Sequence, residues 1–285
     1  MIQRLCVIGV GLIGGSFARA LRQAGMVQEI IGCGRNADNL AKAKALGVID
    51  GFETDPARAV QGADVVFVAV PLGAMQKIFS AISGVLDVST VLTDAGSAKA
   101  SVITDAISAF GSIPKNFVPG HPIAGTENSG VEASFPGLYE NRRVILTPLP
   151  ETDPEAVQTV RQLWQATGAL VNEMSVEHHD EILAATSHLP HMLAFTLVDS
   201  LARLNDQKEV FDYAAGGFRD FTRIASSDPV MWRDICLANQ SAILAMIDRF
   251  SGDLDAIRTD IAEGDSDRIL AMFKTAKAAR DEFNG

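Results

Sequence analysis

Arg4-Leu5-Cys6-Val7-Ile8 runs directly into Gly9-Val10-Gly11-Leu12-Ile13-Gly14, and from Ile13 to Ala24 apolar residues recur at helical spacing. A short apolar run followed by that periodicity reads as a buried strand, a turn and a helix. Glycines at the first, third and sixth positions permit a tight turn and let a pyrophosphate approach the helix N-terminus, where unpaired amides and the helix dipole favour an anion. By itself G-x-G-x-x-G is a weak signal, because glycine serves any tight turn. Its place at the first strand-to-helix junction gives it weight, and makes Gly9, Gly11, Leu12, Ile13 and Gly14 the expected cofactor-binding residues.

Outward from this turn the pattern repeats. A second strand at Ile30–Cys33 is followed by a helix near 37–46, a strand at Asp64–Val70, a helix near 74–85 and a strand at Thr90–Thr93. A helix near 98–110, strands at Asn116–Pro119 and Arg143–Thr147, a helix over 155–167 and a last strand at Ala169–Glu173 complete the series. Continuous apolar strands alternating with helices predict an α/β fold, a Rossmann-type doubly wound parallel sheet covered on both faces. From Ser175 onward no strand is expected. Helical patterns cover 176–204, 229–250, 253–263 and 266–282, with Ser175 as a helix start and Pro190 as a kink. The expected division is a dinucleotide-binding domain at 1–174 and an all-helical domain at 175–285.

Composition narrows the function classes. A chain of 285 residues can bury two ordinary cores, and 47% hydrophobic with 21% charged residues is a globular mix. No apolar run reaches the roughly 18 residues that span a bilayer, and the chain enters a strand without a signal-like segment, so the default address is the cytoplasm. A net charge of −11 argues against a nucleic-acid partner. A small anionic substrate is still allowed, given a local pocket of positive groups. Cys6, Cys33 and Cys236 are odd in number and set among apolar neighbours, which suits reduced thiols better than disulfides or a metal site.

The second strand ends in Gly34-Arg35-Asn36. An acid there would bind the ribose 2′-hydroxyl and repel a 2′-phosphate, so a small residue followed by arginine favours NADP and leaves NAD open. Val70 and Pro71, closing the strand from Asp64, fall on the same ligand-binding edge. So does Ser97, after Asp94-Ala95-Gly96, where it reads as a ligand contact, a helix N-cap, or both. His121 lies in a glycine-rich turn just after a predicted strand, a place suited to a base that takes a hydroxyl proton. His188 and His191 share a helix face, and anion binding or orientation of a reacting group suits them better than metal, because no Cys or acidic cluster completes a ligand set. Residues 216–223 form a glycine break leading into Arg219 and Arg223, whose forks could hold a carboxylate or simply face solvent. Trp232 reads as core.

Taken together, GVGLIGGS at 9–16, TDAGSAK at 93–99, GHPIAGTENSGVEAS at 120–134, LYENRRVILTP at 138–148, SHLPH at 187–191 and GGFRDFTRIASSDPVMWRDI at 216–235 resemble the prephenate and arogenate dehydrogenases of tyrosine biosynthesis. The resemblance covers nearly the whole chain. It implies a nucleotide domain, a helical domain that binds substrate and forms a homodimer, and oxidative decarboxylation of prephenate to 4-hydroxyphenylpyruvate, of arogenate to tyrosine, or of both. By position, His121 would take the proton of the substrate's ring hydroxyl, Ser97 would orient that hydroxyl, and Arg223 would grip the ring carboxylate. His191 would line the pocket, while Thr126, Glu127, His188, Asp220 and Trp232 would shape or gate it.

Competing readings are a two-domain 3-hydroxyacid dehydrogenase or imine reductase, and a nucleotide-sensing protein without turnover. A hydroxyacid enzyme would carry a catalytic lysine on the first long C-terminal helix, and none lies between Ser175 and Asn205. With the chain ending at Gly285, control by tyrosine is expected to act at the active site as product inhibition.

Overall fold

The computed structural model describes residues 1–126, 128–204 and 207–283. By its contacts the chain divides into two compact units, Met1–Gln240 and Ser241–Gly285.

The first unit opens with β1 (Ile2–Ile8), α1 (Leu12–Gln23), β2 (Val27–Cys33), α2 (Ala37–Ala45), β3 (Gly51–Glu53), α3 (Pro56–Ala59), β4 (Val65–Val68), α4 (Met75–Ile82), β5 (Val91–Asp94), α5 (Lys99–Phe110) and β6 (Phe117–Val118). Six parallel strands lie in the order β3-β2-β1-β4-β5-β6. This is the doubly wound sheet expected from the alternating pattern. Its strands read as continuous apolar runs because both faces are covered. Leu5, Val7, Val65 and Phe67 pack on one side, where Phe17, Trp164 and Tyr139 gather, while Cys6, Ile8, Val66 and Val68 pack on the other with Met75, Phe79 and Val102. β3 and α3 were not expected. At three and four residues they are too short to show a period, and Asp55 with Pro56 starts α3 by capping and a preset φ.

The later strands do not extend this sheet. β7 (Gly120–Pro122), β8 (Arg143–Leu146) and β9 (Leu170–Glu173) form a separate three-stranded sheet, β7 antiparallel and β9 parallel to β8, with α6 (Pro154–Ala166) between the last two. His121 is therefore the middle residue of a strand, paired with Ile145, and not part of a turn. Only Pro119 separates β6 from β7, so the chain changes sheets within one residue, a step that local periodicity cannot reveal.

Helices follow: α7 (Val176–Leu183), a π turn (Ala184–His188), α8 (Leu189–Ala202), α9 (Gln207–Asp212), α10 (Gly216–Thr222) and α11 (Pro229–Ala238). Ser175 caps α7 as expected, accepting from the His178 amide. The interruption expected at Pro190 falls just ahead of it. Proline lacks the amide and crowds the carbonyl four residues back, and a widened turn before it relieves both. The break expected near residue 251 is absent, and the chain breaks at Asn239 before α12 (Gln240–Glu263).

The second unit consists of most of α12 and of α13 (Ser266–Phe283), joined at Gly264, whose φ of +70° suits glycine. Arg268 ties the two helices through Asp260 at 3.3 Å. No helix among the described residues is long and apolar enough to cross a membrane.

Candidate active site

The strand order reverses between β1 and β4, which opens a crevice at their carboxyl ends. Ile8 is in register with both Cys33 and Val68, and Val68 with Asp94, so the loops after all four strands leave from one edge. Gly9 turns the chain there with a φ of +99°, and a Cβ on it would lie 2.3 Å from the Ala69 carbonyl oxygen. A Cβ on Gly14 would lie 2.1 Å from the Gly9 oxygen, whereas one on Gly11 would meet nothing within 4 Å. Two glycines thus exist for close packing and one for an open approach. Gly11 is also the N-cap of α1 and brings no side chain to its amides, leaving the helix end to an anion. Leu12 and Ile13 follow it half-buried, and Val70 packs beside Gly9 with Pro71 next in the chain. The cradle fits a dinucleotide pyrophosphate. Gly11→Ala is expected to leave the melting temperature nearly unchanged while weakening cofactor binding about tenfold or more, and Gly14→Ala to destabilise the fold itself. Calorimetry with a cofactor titration separates the two.

The crevice continues at the end of β5. Asp94 and Lys99 are both fully buried, with Nζ donating to Asp94 Oδ2 at 2.6 Å and to the Gly120 carbonyl at 2.6 Å. Asp94 also accepts from the amides of Gly96 at 2.7 Å and Gly120 at 3.1 Å. This clamp holds the loop carrying Ser97 against the strand carrying His121. Ser97 itself is half-buried and is not the helix N-cap, since that position is Ala98, which has no capping side chain. The cap comes from 80 residues away. Asp180 takes the Lys99 amide at 2.8 Å on Oδ1 and the Ala100 amide at 2.9 Å on Oδ2. No hydrogen bond joins Ser97 to His121 among the described residues.

Asp180 has a third partner. His179 Nδ1 lies 2.7 Å from its Oδ1, and His179 Nε2 lies 2.9 Å from His121 Nδ1. A carboxylate only accepts, so His179 donates from Nδ1, its Nε2 must accept, and His121 donates from Nδ1. The outcome is a neutral His121 whose Nε2 carries a lone pair. Burial, reinforced by the charges of His179, Lys99 and His188, holds the His121 pKa well below its ordinary value. Burial also lowers His179, against the opposing Asp180 bond and alongside the Lys99 charge. Asp180 is raised by burial, but its bonds from His179 and from the Lys99 and Ala100 amides outweigh this and leave it lowered.

A second group of rings lies beside the first. His191 stacks on Trp232 at 3.7 Å and donates from Nδ1 to the Ser187 carbonyl at 2.8 Å, and His188 meets Trp232 edge-on at 6.1 Å. Trp232 is buried, and its Nε1 has no hydrogen-bond partner among the described residues. Burial lowers His188 to about 4 and also lowers His191, where the Ser187 bond opposes it and the charge of nearby Arg223 assists.

Four histidines kept neutral by the fold should make it acid-labile. Each resists protonation when folded and accepts a proton near pH 6.5 when unfolded, so stability falls as pH drops below about 6.5. Melting temperatures measured from pH 7.5 to 5 should decline steadily, and a flat profile would contradict the assigned neutrality.

The sequence-derived residues are not all joined. Arg223, the C-cap of α10, is exposed but lies close enough to His191 for its charge to act there, whereas Asp220 is exposed one turn earlier. Thr126 is exposed and bonds within its own turn to the Asn128 amide at 3.2 Å. Glu127 lies outside the described residues. Gly34 and exposed Arg35 end β2, with the Asn36 side chain capping α2. Among the described residues no group of three or more His, Cys, Asp or Glu is arranged to hold a metal. The three cysteines are free, two of them buried. Sequence reasoning missed Lys99, His179, Asp180 and Asn239 as site residues. His179 and Asp180 carry no local signal, because their partners are 58 and 80 residues away.

A Rossmann sheet with a glycine cradle and an imidazole base at its ligand-binding edge defines a nucleotide-dependent dehydrogenase. Residues 17–173 match the family described as prephenate dehydrogenase, nucleotide-binding domain, and residues 175–275 match prephenate dehydrogenase, dimerization domain. Cyclohexadienyl dehydrogenase of Zymomonas mobilis is 38% identical, with 98% of this chain and 96% of that protein covered. The crystal structure of prephenate dehydrogenase from A. aeolicus, in complex with hydroxyphenyl propionate and NAD+, is 39% identical with a TM-score of 0.93, covering 99% of each chain. Synechocystis arogenate dehydrogenase superposes with a TM-score of 0.84 at 27% identity, covering 99% of this chain and 100% of that one. The chain belongs to the prephenate dehydrogenase family and is an oxidoreductase.

Proposed function

We propose that this protein catalyses nicotinamide-dependent oxidative decarboxylation of a cyclohexadienyl substrate, prephenate to 4-hydroxyphenylpyruvate or arogenate to tyrosine. The observation that carries the reading is the hydrogen-bond chain Asp180-His179-His121, which supplies a base at the ligand-binding edge of the sheet. The nicotinamide, when bound, accepts a hydride from the ring carbon that bears the hydroxyl. His121 Nε2 takes the hydroxyl proton, and the positive charge it gains faces His179 and, behind it, the Asp180 carboxylate. Loss of carbon dioxide from the same ring then leaves a phenolate that takes the proton back from His121, so aromatisation drives the step forward and the base is restored. Ser97 orients the hydroxyl, Arg223 takes the ring carboxylate, and His188, His191, Trp232, Thr126 and Asp220 shape the pocket.

We favour NADP over NAD as cofactor. β2 ends without an acid, and the exposed Arg35 is free of the capping task that Asn36 performs. Residues 1–174 serve the nucleotide, and 175–285 serve substrate binding and a homodimer. Support for the homodimer comes from α12 and α13, which leave Ile261 64% and Phe273 57% exposed within one chain. A cytoplasmic address suits the free thiols, and the net charge of −11 argues against nucleic acid.

Reduced-cofactor absorbance, followed with prephenate and arogenate against NAD and NADP, tests the reading, and silence in all four pairs would sink it. In the same assay Arg35→Asp is expected to raise the KM for NADP about tenfold or more without raising that for NAD. An unchanged ratio would refute the cofactor preference.

A further inference from the structure

Asn239 lies outside every motif on which the family resemblance rests, yet it is 5% exposed and held between two residues of the site. It stands at the break between α11 and α12 with φ −112° and ψ 37°, out of helical conformation. Its Nδ2 donates to the Asp180 main-chain oxygen at 2.8 Å and lies 3.1 Å from His188 Nδ1. A carbonyl oxygen only accepts, so the amide is oriented without ambiguity and both Nδ2 hydrogens are committed.

An imidazole nitrogen that receives an N–H carries no proton. His188 is 1% exposed and burial keeps it neutral, so its single ring proton sits on Nε2. His121 has the opposite tautomer, with Nδ1 protonated and Nε2 accepting. Beside His188 stands a second buried donor, Trp232 Nε1, with no partner among the described residues. A buried donor left unpaired is costly, so the group that completes this region is an acceptor.

We propose that Asn239 is a positioning residue that locks His188 as a hydrogen-bond donor through Nε2, directed to a carboxylate or carbonyl oxygen of the substrate. The pocket then pairs one imidazole that accepts with one that donates. Asp180 serves both, its carboxylate setting His121 through His179 and its main-chain oxygen orienting Asn239. This inference rests on the dehydrogenase reading for the identity of the ligand, but the tautomer itself does not.

Nitrogen-15 spectra of histidine-labelled enzyme, with the His188 signals assigned by their loss in His188→Asn, are expected to show His188 protonated at Nε2 and bare at Nδ1 without substrate. A carboxylate at 239 can only accept, so Asn239→Asp should move the proton to Nδ1. It should raise the KM for the cyclohexadienyl substrate about tenfold while changing kcat and cofactor KM less. Asn239→Ala should raise the same KM and leave a mixture of tautomers. A wild-type His188 protonated at Nδ1 overturns the proposal, and this spectrum decides even if Asn239→Asp does not fold. So does a KM that rises in either variant with the tautomer unchanged, which would mark a merely structural role. Absence of turnover in the wild type defeats the dehydrogenase reading instead, and the spectrum still decides the tautomer.

Discussion

His121→Asn is expected to lower kcat about a thousandfold, within the range that a positioned general base contributes, while the KM for either substrate changes only a few-fold. Asparagine can keep a hydrogen bond to His179 Nε2 through its amide, so the chain from Asp180 stays satisfied and the fold is retained. What is lost is the lone pair at Nε2. Deprotonating an alcohol without a base leaves the developing carbonyl to solvent, and the loss falls on the transition state more than on binding. The pH profile carries a second part of the expectation. Because burial and the neighbouring charges hold the His121 pKa well below 6.5, wild-type kcat/KM should lose its acid limb only well under that pH. Steady-state rates of cofactor reduction decide the matter. A variant within tenfold of wild type would remove His121 from the role of base.

Lys99→Met should cost about 3–5 kcal/mol of stability, the usual loss when one member of a buried ion pair is removed. Methionine replaces the aliphatic stem at similar volume, so the effect isolates the charge. Asp94 would keep the amides of Gly96 and Gly120 but face an apolar interior with no counter-charge, and the Gly120 carbonyl would lose its 2.6 Å donor. The clamp between the Ser97 loop and the start of β7 would slacken, so kcat should also fall. Adding Asp94→Asn should restore a large part of the stability, because the unpaired charge is then gone. Urea unfolding of the single and double variants measures both. A loss below about 1 kcal/mol for Lys99→Met would show that water reaches the pair.

Much of the fold was legible because its signals are local. Apolar strands at β1, β4 and β5, the glycine turn, and the cap at Ser175 each depend on residues within one element or one turn. Of the strands after residue 116, β6, β8 and β9 were found but β7 was read as a turn, and the separate sheet was not foreseen, since periodicity fixes that a segment is extended and not what it pairs with. Helices α9 and α10 were passed over for lack of length, at six and seven residues. Within the site, His121, Ser97, His188, His191 and Trp232 stood out by motif and position. Ser97 was given a capping role that Asp180 performs, because a cap from another element leaves no trace near the helix it serves.

The glycine turn and its alternating strands and helices determine by sequence alone that this chain builds a dinucleotide fold, since turn chemistry and hydrophobic period act over a few residues. Only the tertiary structure decided which imidazole nitrogen is bare. Tautomers are set by partners, and the partners of His121 and His188 arrive from α7 and the break at Asn239, at separations of 58 and 51 residues. The sequence names the histidines, and the fold assigns one to accept and the other to donate.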